Sequence, residues 1–305
     1  MRAIDRFEFR SHLDAYWLRP ESALWDAAAA QRLAPLLRGK EDIVEIGIGN
    51  GNFSFLMLGG AFNRRFDWFL NTSTEGFWNN ADIYDCDADV GVEALIDKRP
   101  ATRIRYGLDH KRNLLNQADR LGFVDELIEH DCNRPLPVSD CAVAYSNILY
   151  WLNDPLQTVS AIGNALRRGG ELVMVFPNSD FYRHCQSYAS HEAIWTSINR
   201  GRASHIMWHM DLPEFERAIE DDGLFEIALA EKYLCPAVLR VWDIGLRPLS
   251  VPLIKMANAL SVEKRLEIKQ EWCDTVERFA EPLLAMEMET AARHGGFNLV
   301  KLVRR

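Results

Sequence analysis

Ile43-Val44-Glu45-Ile46-Gly47-Ile48-Gly49-Asn50-Gly51-Asn52-Phe53 decides the reading of this chain. An apolar, β-branched run ends in an acid and is followed by three glycines at alternate positions. The run reads as a buried parallel strand, and the glycines as the tight turn after it. Glycine permits positive φ and lets a ligand come close to the main chain. An acid at the strand's tip does not suit a phosphate. It suits a cation or a ribose hydroxyl.

Downstream, the pattern of strand, acid and helix repeats. Arg105-Tyr106-Gly107-Leu108-Asp109 places an acid where a short strand meets the helical run Leu114, Leu115, Ala118, Leu121. Leu127-Ile128-Glu129-His130-Asp131 is a third strand-like segment, with Pro135 and Pro137 in the turn after it. Ala142-Val143-Ala144-Tyr145-Ser146-Asn147 is a fourth, followed by a helix through Leu156, Val159, Ile162 and Leu166. Arg167-Arg168-Gly169-Gly170 is expected to close that helix with cations and a glycine cap. Glu171–Pro177 is the fifth strand. Strands alternating with helices imply an α/β, doubly wound parallel sheet with right-handed crossovers. Ligands then bind at the carboxyl ends of the strands, where these acids lie.

Residues 43–177 resemble the class I S-adenosylmethionine-dependent methyltransferases, in the type 11-like branch that modifies small molecules and sugars. The resemblance rests on Glu45-Ile46-Gly47-Ile48-Gly49-Asn50-Gly51, Gly107-Leu108-Asp109, His130-Asp131 with Pro135-Leu136-Pro137, Tyr145-Ser146-Asn147-Ile148-Leu149 and Leu166-Arg167-Arg168-Gly169-Gly170, in the family's order. It implies a Rossmann-like seven-stranded sheet whose last strand is antiparallel, and S-adenosylmethionine as cofactor. By position it places Glu45 near the methionine amino group, with Gly47, Gly49 and Gly51 giving main-chain access. Asp109 would hold the ribose hydroxyls. Asp131 would accept from the adenine amino group, with the Cys132 amide near the ring. Ser146 would lie close to the transferred methyl, and Asn147, Tyr150, Trp151 and Asn178 on the acceptor side. Carboxylates accept hydrogen bonds, and ribose hydroxyls and an exocyclic amine can donate them.

Three departures from the family stand out. Asp109 follows Gly51 by 58 positions, where one βα unit needs roughly 20. Residues 57–103 therefore read as an insertion, with Phe66, Trp68, Phe69, Phe77, Trp78 and Tyr84 among its aromatics. Asp67 lies nearer the ordinary spacing and is a rival for the ribose contact, although the helix pattern directly after Asp109 favours Asp109. Ala142 stands where relatives usually carry a structural aspartate. Tyr150-Trp151 replaces a glutamate–histidine pair found in many relatives, an acceptor-side change.

The rest of the chain completes one domain over 1–305. The opening 1–40 reads as helices, with Ser22 as an N-cap. Leu212–Asp222 reads as a helix stopped by Gly223. Phe225–Tyr233 and Phe297–Val303 supply the last two strands, with a helical insertion over 236–293 between them, including Ser261–Ala280. Residues 178–211 form the acceptor-side segment.

Composition fits an intracellular enzyme. The 305 residues carry a net charge of −9, with 48% hydrophobic and 26% charged residues. That balance argues against nucleic acid as a partner, and the cluster Arg99, Arg103, Arg105, Lys111, Arg112 reads as solvated surface. Six cysteines without paired spacing indicate neither a zinc site nor a disulfide framework. No signal peptide or membrane span is evident, so cytoplasm is the expected compartment. A homodimer through the helical insertions is compatible with the chain.

Transfer from a sulfonium asks mainly for alignment of donor and acceptor. A base is needed only where the acceptor must lose a proton, and histidine suits that at neutral pH. His184, His205 and His209 fall after the fifth strand. His205 and His209 are favoured because an extended segment would put both on one face. Asn147 and Asn178 stand where metal-dependent relatives have carboxylates, so no metal is expected. The spacing G-x-G-x-G also differs from that of an NAD-binding turn. The expected activity is methyl transfer to a hydroxyl or amine of a small-molecule acceptor. The alternative is a methyltransferase fold kept as a non-catalytic binding or scaffold subunit.

Overall fold

The sheet is built outward from the short strand β1 (Ile43–Ile46), every residue of which is buried. In this computed structural model, which describes residues 6–70, 72, 91–185 and 208–305, β1 is flanked by two parallel neighbours. One is β4 (Ile104–Asp109), with Ile46 opposite Leu108; the other is β6 (Cys141–Ser146), with Ile46 opposite Ser146. Burial on both faces explains why β1 is apolar throughout except at Glu45. Beyond β4 lies β5 (Val124–Glu129), and beyond β6 lies β7 (Leu166–Pro177), both parallel.

One strand near the far edge changes direction. β9 (Phe297–Arg304) runs antiparallel between β7 and β8 (Phe225–Tyr233), giving the order β5-β4-β1-β6-β7-β9-β8. This is a Rossmann-like seven-stranded sheet with its last strand antiparallel, as the sequence implies. Strands β1, β4, β5, β6 and β7 all end on one edge. Phe297, at the start of β9, pairs with both Pro177 and Tyr233, so it lies on that edge too.

Helices cover the sheet: α1 (Arg6–Ala15), α2 (Pro20–Leu37), α3 (Asn52–Met57), α4 (Arg112–Asp119), α5 (Pro155–Ala165), α6 (Ser179–His184), α7 (Leu212–Asp222), α8 (Pro236–Arg240), α9 (Ser250–Asn258) and α10 (Val262–His294). α5 opens on Asp154, whose carboxylate accepts from the Gln157 amide at 3.0 Å. α7 stops at Gly223, which takes φ 70°.

Three local expectations are corrected. Ser22 is not an N-cap: α2 begins two residues earlier at Pro20, whose ring presets φ and whose missing N–H costs nothing at a first helical position. Arg167-Arg168-Gly169-Gly170 does not cap α5. The helix ends at Ala165, and Leu166 already pairs with Cys141 in the sheet. The glycines sit in an irregular stretch of β7, where a Cβ on Gly170 would lie 2.8 Å from the Arg167 carbonyl oxygen. The helix expected to end at Ala280 continues to His294 as α10, capped at its start by the Ser261 hydroxyl.

Between β1 and β4 the chain makes a small antiparallel pair, β2 (Ala61–Phe62) with β3 (Ile96–Lys98). Phe62 stacks on Phe66 at 4.0 Å, and Phe66, Trp68 and Phe69 are buried. This segment packs against α10: Asp67 pairs with Arg265 at 2.7 Å, and Lys269 donates to the Phe66 carbonyl oxygen at 2.5 Å. Phe77, Trp78, Tyr84 and His205 lie outside the described residues. Arg103, Arg105 and Arg112 pair with Asp125, Asp42 and Glu129, so the basic run is internally compensated. No helix among the described residues is long and apolar enough to cross a membrane.

Candidate functional site

The glycine turn after β1 is held by the tip of β4. The Gly47 and Ile48 amides donate to the Leu108 carbonyl oxygen at 2.8 and 3.0 Å, and the Gly49 amide donates to Asp109 Oδ2 at 3.0 Å. Gly47 has φ 78°, and a Cβ there would lie 2.2 Å from the Ile148 side chain. Gly49 has φ 59° with no atom within 4 Å of a Cβ position. Its main chain therefore faces open space, as a ligand-contacting turn requires. Gly51 precedes α3 and packs on Ala118 and Leu121 of the α4 region.

Asp109 is buried, and its Oδ1 accepts from the Lys111 amide at 2.9 Å. An ionised carboxylate offers about four acceptor sites. The two backbone amides leave each oxygen able to take one more donor.

Glu45 is almost fully buried, and its Oε1 accepts from the Ser54 hydroxyl of α3 at 2.6 Å. Its Oε2 has no partner among the described residues. Burial pushes the Glu45 carboxyl up to about 8; the Ser54 hydrogen bond opposes that, and the Asp109 charge adds to it. The orphaned oxygen is a position for a donor, best a cationic one.

On the other side of the turn, Asp131 lies exposed just past β5. It accepts from the Asn133 amide at 3.0 Å, which holds it below the usual carboxylate range. Cys132 is buried, its thiol pushed up to about 12 by burial although the Gly47 amide opposes the shift. Cys132 thus lies against the glycine turn, and Glu45, Gly47, Gly49, Gly51, Asp109, Asp131 and Cys132 share one edge.

The sequence-expected rival for Asp109 is engaged elsewhere. Asp67 Oδ1 accepts from Trp17 Nε1 at 2.9 Å and the Phe69 amide at 3.1 Å, while Oδ2 takes Arg265. Its carboxylate ties α1–α2, the β2 segment and α10 together. Next to Ala142, Asp42 accepts from the Ala142 amide at 3.0 Å and from Arg105 at 2.6 Å.

The methyl and acceptor side is less as expected. The Ser146 hydroxyl is fully buried and donates to the Ile46 carbonyl oxygen at 3.0 Å, so it braces β6 against β1. Asn178 is not an acceptor-side group. Its amide donates to the Gly295 carbonyl oxygen and Asn298 Oδ1 and accepts from the Asp180 amide, which locks β7 to β9. Asn147 is half-buried just past β6, and Tyr150 and Trp151 follow, with Tyr150 edge-on to Phe297 at 5.6 Å. His209 is exposed beside Tyr182 at 4.8 Å. It is next to Met210, whose amide donates to Pro177 at the end of β7. The His184 ring instead meets the His294 carbonyl oxygen at 3.0 Å, and burial lowers its pKa. No cluster of metal-ligating side chains occurs among the described residues.

Sequence reading missed Ser54 and Tyr145. Ser54, nine positions after Glu45, left no pattern signal because a serine in a short helix is commonplace. Tyr145 passes as a core residue of β6, but its buried hydroxyl has no partner among the described residues.

No family model matches the chain, and no curated protein matches it. Among solved structures it is similar to an S-adenosylmethionine-dependent methyltransferase from Thiobacillus denitrificans in complex with S-adenosyl-L-homocysteine, at 16% identity over 100% of both chains and a TM-score of 0.46. It is similar to another from Mesorhizobium loti, at 17% identity over 92% of this chain and 97% of that one, TM-score 0.46. A geranyl diphosphate methyltransferase in complex with S-adenosylmethionine gives 13% identity over 94% and 90%, TM-score 0.44. Likeness at this level carries no weight for function, which rests on the geometry of the edge.

Proposed function

We propose that this chain is an S-adenosylmethionine-dependent methyltransferase acting, without a metal, on a hydroxyl or amine of a small-molecule acceptor. The observation that carries the reading is the pairing of two carboxylates at the glycine turn. Asp109 keeps open acceptor positions while bonded to the Gly49 amide, and Glu45 presents an orphaned Oε2.

These groups fit the cofactor's donors. Asp109 would accept from both ribose hydroxyls, Glu45 Oε2 from the methionine ammonium, and Asp131 from the adenine amine, with Cys132 beside the ring. When bound, the cofactor supplies a sulfonium-activated methyl. The protein's part is then to orient, to exclude water and to receive a proton where the acceptor has one to lose. Asn147, Tyr150 and Trp151, on the segment after β6, would border the acceptor. His209, exposed beside Tyr182 on this edge, would serve as the base.

Calorimetric titration with S-adenosylmethionine and S-adenosylhomocysteine tests the reading. Micromolar affinity is expected, near −8 kcal/mol, and it should fall in Asp109→Asn but persist in folded Asp67→Asn. Absence of binding to well-folded wild-type protein would overturn it and favour a non-catalytic scaffold.

A further inference from the structure

Two residues paired across the centre of the sheet each carry a buried polar atom without a partner. One atom is Glu45 Oε2 on β1, and the other is the Tyr145 hydroxyl on β6. The residues are 2% and 1% exposed, respectively. Neither atom has a hydrogen-bond partner among the described residues. Burying such groups unpaired is costly, so each calls for a ligand or a protein partner.

The strand register places the two side chains together. Glu45 is the direct partner of Tyr145 in the parallel pairing of β1 with β6. Such strands lie about 4.8 Å apart, and residues paired in register project to the same face. Helices α1–α3 cover that face. The Glu45 carboxylate meets Ser54 of α3, and Tyr145 belongs to the same apolar cluster as Phe55 of α3 and Ala27 and Ala30 of α2. The rest of the row offers no polar side chain: Gly107 flanks Glu45 on β4, and Val173 flanks Tyr145 on β7. Two residues earlier stand Ile43 and Val143, also apolar and paired. Two residues later come Gly47 of the glycine turn and Asn147, at the ligand edge.

A carboxylate only accepts hydrogen bonds, whereas a phenol both accepts and donates. Burial, and after it the Glu45 charge, holds the Tyr145 proton in place. An ammonium supplies three N–H donors together with the positive charge that a buried carboxylate lacks. The phenol can take one of those N–H groups and give its own proton to a carboxylate on the same carbon, as in an α-amino acid. We propose that Tyr145 is a cofactor-binding residue, the α-ammonium of the cofactor's methionine end bridging Glu45 Oε2 and Tyr145 Oη. This role rests on the methyltransferase reading and extends the cofactor site from β1 to the neighbouring strand.

S-Adenosylhomocysteine and 5′-methylthioadenosine are the probes, since both carry the thioether of adenosine and only the first carries the amino-acid end. Calorimetry gives both affinities in wild type and in Tyr145→Phe. The variant should bind S-adenosylhomocysteine weaker by about tenfold or more, and 5′-methylthioadenosine as wild type does. Its melting midpoint should not fall, because the hydroxyl removed has no partner in the fold. Unchanged affinity for S-adenosylhomocysteine overturns the role of Tyr145 and leaves the cofactor reading standing. An equal loss for both probes, or a lowered midpoint, also overturns it, since either marks a structural hydroxyl. Failure of S-adenosylhomocysteine to bind folded wild type overturns the cofactor reading itself, and the role of Tyr145 with it.

Discussion

The Asp109 carboxylate accepts from the Gly49 amide at 3.0 Å, which ties the tip of β4 to the glycine turn after β1. One side chain therefore shapes the turn and also offers oxygens to a ligand. Asp109→Asn replaces an acceptor oxygen with a donor that must face either an amide or the ribose. Cofactor affinity is expected to fall roughly 10- to 100-fold, equivalent to about 1.5–3 kcal/mol for a charged hydrogen bond. Isothermal titration with S-adenosylhomocysteine measures it.

Gly47→Ala places a Cβ 2.2 Å from Ile148 at a φ of 78°. The left-handed backbone alone costs about 1–2 kcal/mol, and displacing Ile148 disturbs the segment leading to Tyr150. Thermal unfolding should show a midpoint lowered by several degrees, with cofactor affinity lost in parallel. An unchanged midpoint and affinity would mean that the turn adopts another conformation.

Asp67→Asn should act on stability alone. The substitution leaves Arg265 buried without its counter-charge, and breaking a buried pair in this way costs about 3–5 kcal/mol. Chemical denaturation should register that loss, whereas the folded fraction should bind cofactor as wild type does. Loss of affinity without loss of stability would return Asp67 to the binding site.

Glu45 gives stability a pH dependence. Its carboxyl ordinarily titrates near 4.5 and in the folded chain near 8. Between those values the folded state holds a proton that the unfolded state has released, so stability falls as pH rises. The contribution is complete below the unfolded value and gone above the folded one. Asp26, raised from 3.8 to about 7, acts in the same direction. The melting temperature of wild type, relative to Glu45→Gln, should decline from about pH 5 to pH 8; a flat difference would contradict the assigned burial of Glu45.

Most of the sheet was legible because local pattern and tertiary role coincide there. β1, β4 and β6 are apolar runs ending in chemistry-bearing residues, and each glycine at the turn is required by its backbone. The choice of Asp109 over Asp67 followed from the helix directly after it, and Asp67 proves to be a tertiary bolt to Arg265, 198 positions away. No spacing rule reaches that far. Asn178 misled for a related reason: its partners Gly295 and Asn298 lie on β9, so its structural role depends on a strand pairing that the local sequence does not encode.

The most direct test is a crystal structure of the chain with S-adenosylhomocysteine. Both ribose hydroxyls are expected on the Asp109 carboxylate, within about 2.6–3.2 Å, and the ammonium at Glu45 Oε2. Ligand bound away from the glycine turn, or a ribose held by another acid, would contradict it.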